Sequence, residues 1–260
     1  MKIFDSHCHL QDSRISSDLD AVIERATRAG VQKILCCGST EKDWEDVSRI
    51  SSRYEIVIPA FGLHPWYIGE KTDLWLQRLE EMLILNPGSA VGEIGLDHAL
   101  ESRNDLEQLK VFSAQLSLAA RLDRPVSIHC RRAWGDFLKV LGEIAGGKLL
   151  GTVHSYSGPP ELVEKLTGYG LYISFSGSIT YEKNKRAPES LKMVPSERLL
   201  VESDSPDIPP SGVNGPNEPS NIVSVVNRIA ELREERPDEV AERMFRNGTE
   251  CYLTCAPGKG

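Results

Sequence analysis

Ile3-Phe4-Asp5-Ser6-His7-Cys8-His9 places two imidazoles two residues apart in a short, apolar-flanked stretch. In a strand, side chains alternate faces, so His7 and His9 point one way and Cys8 the other. Two imidazoles on one face can share a metal ion, or they can be unrelated strand histidines. The remaining histidines and carboxylates bear on that choice. His7, His9, His64, His129 and His154 each fall at the C-terminal end of a predicted strand, and His98 falls just past one. Two carboxylates join them: Glu93 in Val91-Gly92-Glu93-Ile94-Gly95-Leu96-Asp97 and Asp204 in Leu200-Val201-Glu202-Ser203-Asp204-Ser205-Pro206. The glycines around Glu93 are expected to let a ligand approach the backbone. His7, His9, Glu93, His129, His154 and Asp204 are too many for one tetrahedral ion with an open position. They suffice for two divalent ions sharing a bridging carboxylate, with water filling the remaining positions. The competing reading is a buried polar network without metal.

Such a set converges only if the elements bring strand ends together. Predicted strands cover Ile3–His9, Lys33–Gly38, Ile56–Leu63, Ala90–Leu96, Pro125–Cys130, Leu149–His154, Leu171–Ser176 and Leu199–Glu202. Helical spacing covers Leu19–Ala29, Ser39–Ser52, Leu74–Leu85, Leu106–Arg121, Ala133–Leu141, Pro159–Leu166, Asn217–Arg233 and Asp238–Arg246. Eight strands alternating with helices imply a parallel sheet. The length of 260 residues suits a closed (β/α)8 TIM barrel, which uses about 250 residues as one domain, so 1–260 is read as a single domain. In that fold the C-terminal strand ends share one face, where active sites are built. No Gly-x-Gly-x-x-Gly turn follows the first strand, which removes the main support for dinucleotide binding.

The formal net charge of −8 argues against non-specific duplex binding through a basic surface, though not against a nucleic-acid substrate held locally. No apolar run approaches the roughly 20 residues of a membrane helix. The first strand has no apolar signal region before it, so the expected location is cytoplasmic, with the nucleus or an organelle left open. Cys8, Cys36, Cys37 and Cys130 lie in predicted strands and suit reduced, buried thiols. Cys251 and Cys255 are four apart, and a metal or redox role for them is not favoured.

The ordered motifs Asp5-Ser6-His7-Cys8-His9-Leu10, Gly62-Leu63-His64-Pro65, Val91-Gly92-Glu93-Ile94-Gly95-Leu96-Asp97, Ile128-His129-Cys130-Arg131, His154-Ser155, Glu202-Ser203-Asp204-Ser205-Pro206 and Asn217-Glu218-Pro219 span the chain. In that order they resemble the TatD family of metal-dependent deoxyribonucleases, within the amidohydrolase-like barrels. The resemblance implies metal-dependent hydrolysis of phosphodiester bonds in DNA, on single-stranded or frayed ends. It implies His7, His9, Glu93 and Asp204 around one ion and Glu93, His129 and His154 around the second, with Glu93 bridging. Zinc or manganese would suit the imidazoles, and the resemblance favours magnesium in the cell. Three positions depart from the family pattern: His98 replaces a frequent aromatic, His154-Ser155-Tyr156 replaces His-Cys-Phe, and Pro216 replaces an arginine.

Roles follow from charge. Asp204 is expected to take a proton from the attacking water as general base. Glu202, two residues earlier, should face inward and orient a ligand or water, or form an ordinary salt bridge. His64 is expected to bind substrate phosphate or protonate the leaving oxygen, against a capping role before Pro65. Arg131 is positioned to clamp phosphate. Lys183, Lys185 and Arg186 form a local basic cluster that meets nucleic-acid backbone or is a solvated face. Trp66 and Tyr67 either stack on a base or pack against a helix. Two other functions compete: a metal-dependent amidohydrolase or esterase acting on a small molecule or aminoacyl ester, and a non-enzymatic protein that keeps a metal for stability. No protein partner is inferred.

Overall fold

Eight short runs rich in Val, Ile, Leu and Cys become strands buried on both faces, which is why they read as near-continuous apolar segments. The structure is a computed structural model that describes residues 1–144 and 149–254. The strands are β1 (Ile3–Cys8), β2 (Val31–Cys37), β3 (Val57–Phe61), β4 (Ala90–Asp97), β5 (Val126–Arg131), β6 (Gly151–Val153), β7 (Leu171–Phe175) and β8 (Leu199–Val201). They lie in sequence order, each pairing parallel with the next. β8 meets β1 across a seam: Ser6 Oγ donates to Val201 O (2.9 Å), Ser203 N–H to Asp5 Oδ1 (2.8 Å), and Asp204 N–H to His7 O (2.9 Å). The result is the nearly closed (β/α)8 barrel expected.

The helices are α1 (Ser13–Ser16), α2 (Leu19–Arg28), α3 (Trp44–Arg53), α4 (Trp75–Leu85), α5 (Asp105–Arg121), α6 (Trp134–Ile144), α7 (Val163–Gly168), α8 (Arg186–Met193), α9 (Ile222–Arg233) and α10 (Pro237–Leu253). The outer core lies between sheet and helices and takes Cys8, Ile34, Cys36, Val91, Ile94 and Cys130. An inner core of Phe4, Leu35, Cys37, Ala60, Tyr172 and Leu200 is closed from below by Cys251 and Tyr252 of α10. That leaves the C-terminal mouth as the open end.

Several helices depart from expectation: α1 and α8 are additional, α9 starts at Ile222 rather than Asn217, and α10 runs on to Leu253. The segment from Ser39 is a turn, and α3 starts only at Trp44. There the Asp43 carboxylate accepts the Ser39 and Thr40 N–H groups, an alternative to helix that Asp side chains offer. Helix α8 carries Pro188 in its first turn, where a missing N–H costs nothing. Cys8, Cys36, Cys37, Cys130 and Cys251 are buried, and the first four form no disulfide among the described residues; Cys255 lies outside them. No helix among the described residues is long and apolar enough to cross a membrane.

Two bulges decide which side chains reach the mouth. Between Asp5 and Cys8, three steps of β1 match two of β2, from Ile34 to Cys36. Between Val91 and Ile94, three steps of β4 match two of β5, from Val126 to Ile128. A bulge adds one residue and reverses the alternation beyond it. Without them, His7 would share the outer face of Ile3, and Glu93 that of Val91.

Candidate metal centre

With the bulges in place, His7, His9, Glu93, His129, His154 and Asp204 all meet at the barrel mouth. His7 Nε2 and His9 Nε2 are 3.2 Å apart, and lie 3.4 and 3.3 Å from Glu93 Oε2. Asp204 Oδ1 is 3.9 Å from the first and 4.0 Å from the second. The other Glu93 oxygen faces a different set. Oε1 is 2.8 Å from His154 Nε2 and 3.2 Å from His129 Nδ1, which are themselves 3.3 Å apart. Ligands at ~2.1 Å around a tetrahedral ion are separated by about 3.4 Å, so both sets have the spacing of a coordination shell.

Each imidazole is held from behind, which fixes the nitrogen it presents. His9 Nδ1–H donates to Cys37 O at 2.8 Å, and His7 Nδ1 meets Ser127 Oγ at 2.8 Å. His154 Nδ1 lies 3.3 Å from Glu202 Oε1, which also accepts the Ser155 N–H at 2.7 Å. His129 Nε2 lies 3.1 Å from Asp97 Oδ2. Glu202 thus faces inward and orients a histidine. Asp97, Ser127 and the Cys37 carbonyl were assigned no role from sequence. Asp97 stood in a quoted motif, but its partner depends on the β4–β5 register. Asp204 is turned inward by a left-handed backbone, φ 55°, pinned by its N–H bond to His7 O. Asn217 Nδ2–H steadies the same loop through Ser203 O at 2.7 Å.

The glycines near Glu93 do different work from that expected. A Cβ at Gly92 would lie 2.8 Å from Ser127 Cβ, and one at Gly95, φ 149°, only 1.9 Å from His129 O. They admit strand β5, with Ser127 and His129, rather than a ligand.

The electrostatics favour a bound cation. Burial works to raise the Glu93 carboxyl, but His64, His154 and His7 around it outweigh that and hold it well below the carboxylate range. Burial lowers His7 to about 4, helped by His154, whose ring stacks on it at 3.8 Å. Burial also acts to lower His9 and His154. For His9, Glu93 and Asp204 reverse this and raise it to about 9; for His154, Glu93 and Glu202 raise it well above the imidazole range. Against the burial of His129, Asp97 and Glu93 raise it above its ordinary value. Asp204 is pushed up to about 7, first by burial and then by Glu202 despite His154. Glu202 Oε2 is buried with no hydrogen-bond partner among the described residues. The mouth therefore draws positive charge, and its nitrogen and oxygen donors fit divalent ions.

His64 was not expected as a ligand, yet it joins the Oε1 side, where it, Glu93 and His129 form a further group spaced to hold an ion. Its Nδ1 accepts the Trp66 N–H at 3.2 Å, which leaves the proton of the neutral ring on Nε2, 3.3 Å from Glu93 Oε1. Burial lowers it to about 4, so it stays neutral near pH 7. A cavity of about 820 Å³ opens above the cluster, and Arg131, Trp66, Tyr67 and Asn184 line it. Arg131 is exposed and has no side-chain partner among the described residues. Lys183, Lys185 and Arg186 are exposed beside Asn184. His98 stays apart from the cluster, 3.8 Å from Asp105 and 3.9 Å from Asp136.

A (β/α)8 barrel with imidazoles and carboxylates gathered at this mouth is the architecture of metal-dependent hydrolases. Residues 4–253 match the TatD related DNase family, and the chain belongs to it. It is 33% identical to the metal-dependent hydrolase YjjV of Escherichia coli over 249 residues, covering 95% of this chain and 96% of that one. It is 32% identical to the 3'-5' ssDNA/RNA exonuclease TatD of Citrobacter koseri over 250 residues, covering 92% and 94%. The crystal structure of E. coli YjjV superimposes with a TM-score of 0.90 at 31% identity, covering 96% of this chain and 97% of that one.

Proposed function

We propose that this metal-dependent hydrolase is a nuclease, a single domain over 1–260 that cleaves phosphodiester bonds in DNA at single-stranded or frayed ends in the cytoplasm. The observation that carries it is the division of Glu93: Oε2 faces His7 and His9, which also lie within 4.0 Å of Asp204, while Oε1 faces His129, His154 and His64. That arrangement supports two divalent ions sharing Glu93, with magnesium the favoured ion and manganese or zinc compatible with the imidazoles. Bound there, such ions supply Lewis-acid polarisation of a phosphate oxygen and a lowered pKa for water. The relatives named as ssDNA/RNA exonucleases support the substrate class.

The chain's own groups supply the rest. Asp204 takes the proton of the attacking water. Glu202 keeps His154 oriented through Nδ1. His64 presents Nε2–H to a phosphate or leaving oxygen, and Arg131 pairs with phosphate from the exposed rim. Single-stranded DNA, duplex DNA, and a small amide or ester should be assayed with and without chelator. Chelator-sensitive release of nucleotides from single-stranded DNA is expected. Hydrolysis of the amide or ester with none of DNA would overturn the reading in favour of the small-molecule alternative.

A further inference from the structure

Large aromatic side chains bury most of their surface when nothing else uses it. Trp44 is buried in the core, and Trp75 and Trp134 are partly buried against it. Trp66 is different: it is 51% exposed and lines the cavity over the metal centre. Its exposure is not looseness. The indole Nε1–H donates to Oδ2 of the buried Asp97 at 2.8 Å, and the backbone N–H donates to His64 Nδ1. The ring stands 87° to the His64 ring with centroids 5.0 Å apart. An indole tied at its edge and open over its surface is a preorganised platform that loses little freedom when a flat group lands on it.

Its place limits what that group is. One imidazole, His64, lies between the indole and Glu93, its ring centroid 5.0 Å from that of Trp66 and its Nε2 3.3 Å from Glu93, so a group stacked on Trp66 sits beside a phosphate at the metal centre. Asp97 Oδ2 serves both Trp66 Nε1 and His129 Nε2, so one oxygen keeps the platform in register with the phosphate site. We propose that Trp66 binds the base of the nucleotide adjoining the scissile phosphate by stacking. This rests on the nuclease reading above and adds a base-recognition element to it. Stacking is tolerant of sequence because every base offers a π-face, so the platform selects an unstacked terminal base rather than a particular one.

The test is a double-mutant cycle between the protein and the base. Trp66→Ala and Trp66→Phe are compared with the parent on single-stranded oligonucleotides with intact ends, or with an abasic nucleotide at the 3′ or the 5′ end. KM and kcat are measured in the active protein, and Kd by fluorescence anisotropy in an Asp204→Asn background with divalent ion present. Trp66→Ala should raise KM and Kd for intact ends roughly 5- to 150-fold, with a smaller change in kcat. Trp66→Phe keeps a ring without the Asp97 bond and should recover most of that loss. An abasic nucleotide at the bound end should weaken the parent by a similar factor and Trp66→Ala no further. Equal weakening by Trp66→Ala on intact and abasic ends, or none on either, would overturn the platform while DNA cleavage persists. A parent protein that neither binds nor cleaves single-stranded DNA would instead overturn the nuclease reading, and this inference with it.

Discussion

Asp97 Oδ2 lies 3.1 Å from His129 Nε2, on the side of the ring that faces away from Glu93. The contact keeps the ring proton on Nε2 and leaves Nδ1 free toward Glu93, 3.2 Å away. Asp97→Asn preserves size but removes the charge and permits the wrong tautomer. Metal affinity or turnover should fall about 10- to 100-fold, as for other groups that orient a metal-binding histidine. Metal titration of activity with calorimetry checks it; an unchanged titration would reduce the contact to packing.

Exhaustive chelation should abolish hydrolysis, and added divalent ion should restore it. Folding should survive, because an extensive core lies outside the mouth. Activity and far-ultraviolet circular dichroism measured on one chelated sample separate the two effects. Full turnover after verified metal removal would sink the proposed chemistry.

Asp204→Asn and His154→Ala should fail differently. The first keeps an oxygen donor but loses the basic site, and general-base removal typically costs about 10²–10⁴-fold in rate. The second removes a nitrogen beside Glu93 Oε1, so excess metal should partly rescue it. A metal titration of both on single-stranded DNA decides the matter. Full rescue of Asp204→Asn would demote Asp204 from base to ligand.

Cys8 belongs to the outer core although its neighbours His7 and His9 point into the mouth. Cys8→Ala should therefore cost stability, on the order of 1 kcal/mol for the lost buried group, with kcat nearly unchanged. Denaturant unfolding alongside kinetics tests this. A fully stable variant with lost turnover would put Cys8 on the wrong face.

Gly95→Ala drives a Cβ into the His129 carbonyl and forces a side chain onto φ 149°. Overlap with a backbone atom has no cheap relief, so a loss of at least about 3 kcal/mol is expected. Thermal unfolding would show it, and a variant as stable as the parent would mean that strand β5 yields easily.

How far the fold and the site were legible in the sequence differs from element to element. His7, Cys8 and His9 separate correctly by plain alternation, because the bulge of β1 lies before Cys8. The same alternation extended back to Phe4 fails, since Phe4 is also inside. Nothing in Val91-Gly92-Glu93 announces an extra residue, yet the bulge there decides that Glu93 points inward. Asp97 and Ser127 acquire meaning only when β4 and β5 are in register, a relation between segments rather than within one. Helix α8 was hidden by Pro188, whose usual effect is to break a helix but which sits harmlessly in the first turn.

The seam between β1 and β8 has a consequence for how the protein is made. Asp5 and Ser203, joined across it, are 198 residues apart in sequence. At roughly 5–20 residues per second, Asp204 leaves the ribosome about 10–40 s after His7 and His9. For much of that interval the nascent chain carries the two histidines with Glu93 but without Asp204. With Asp204 as the proposed general base, hydrolytic competence arrives only once the segment after β8 is made, so a stalled or truncated chain should be silent rather than a partly active hydrolase.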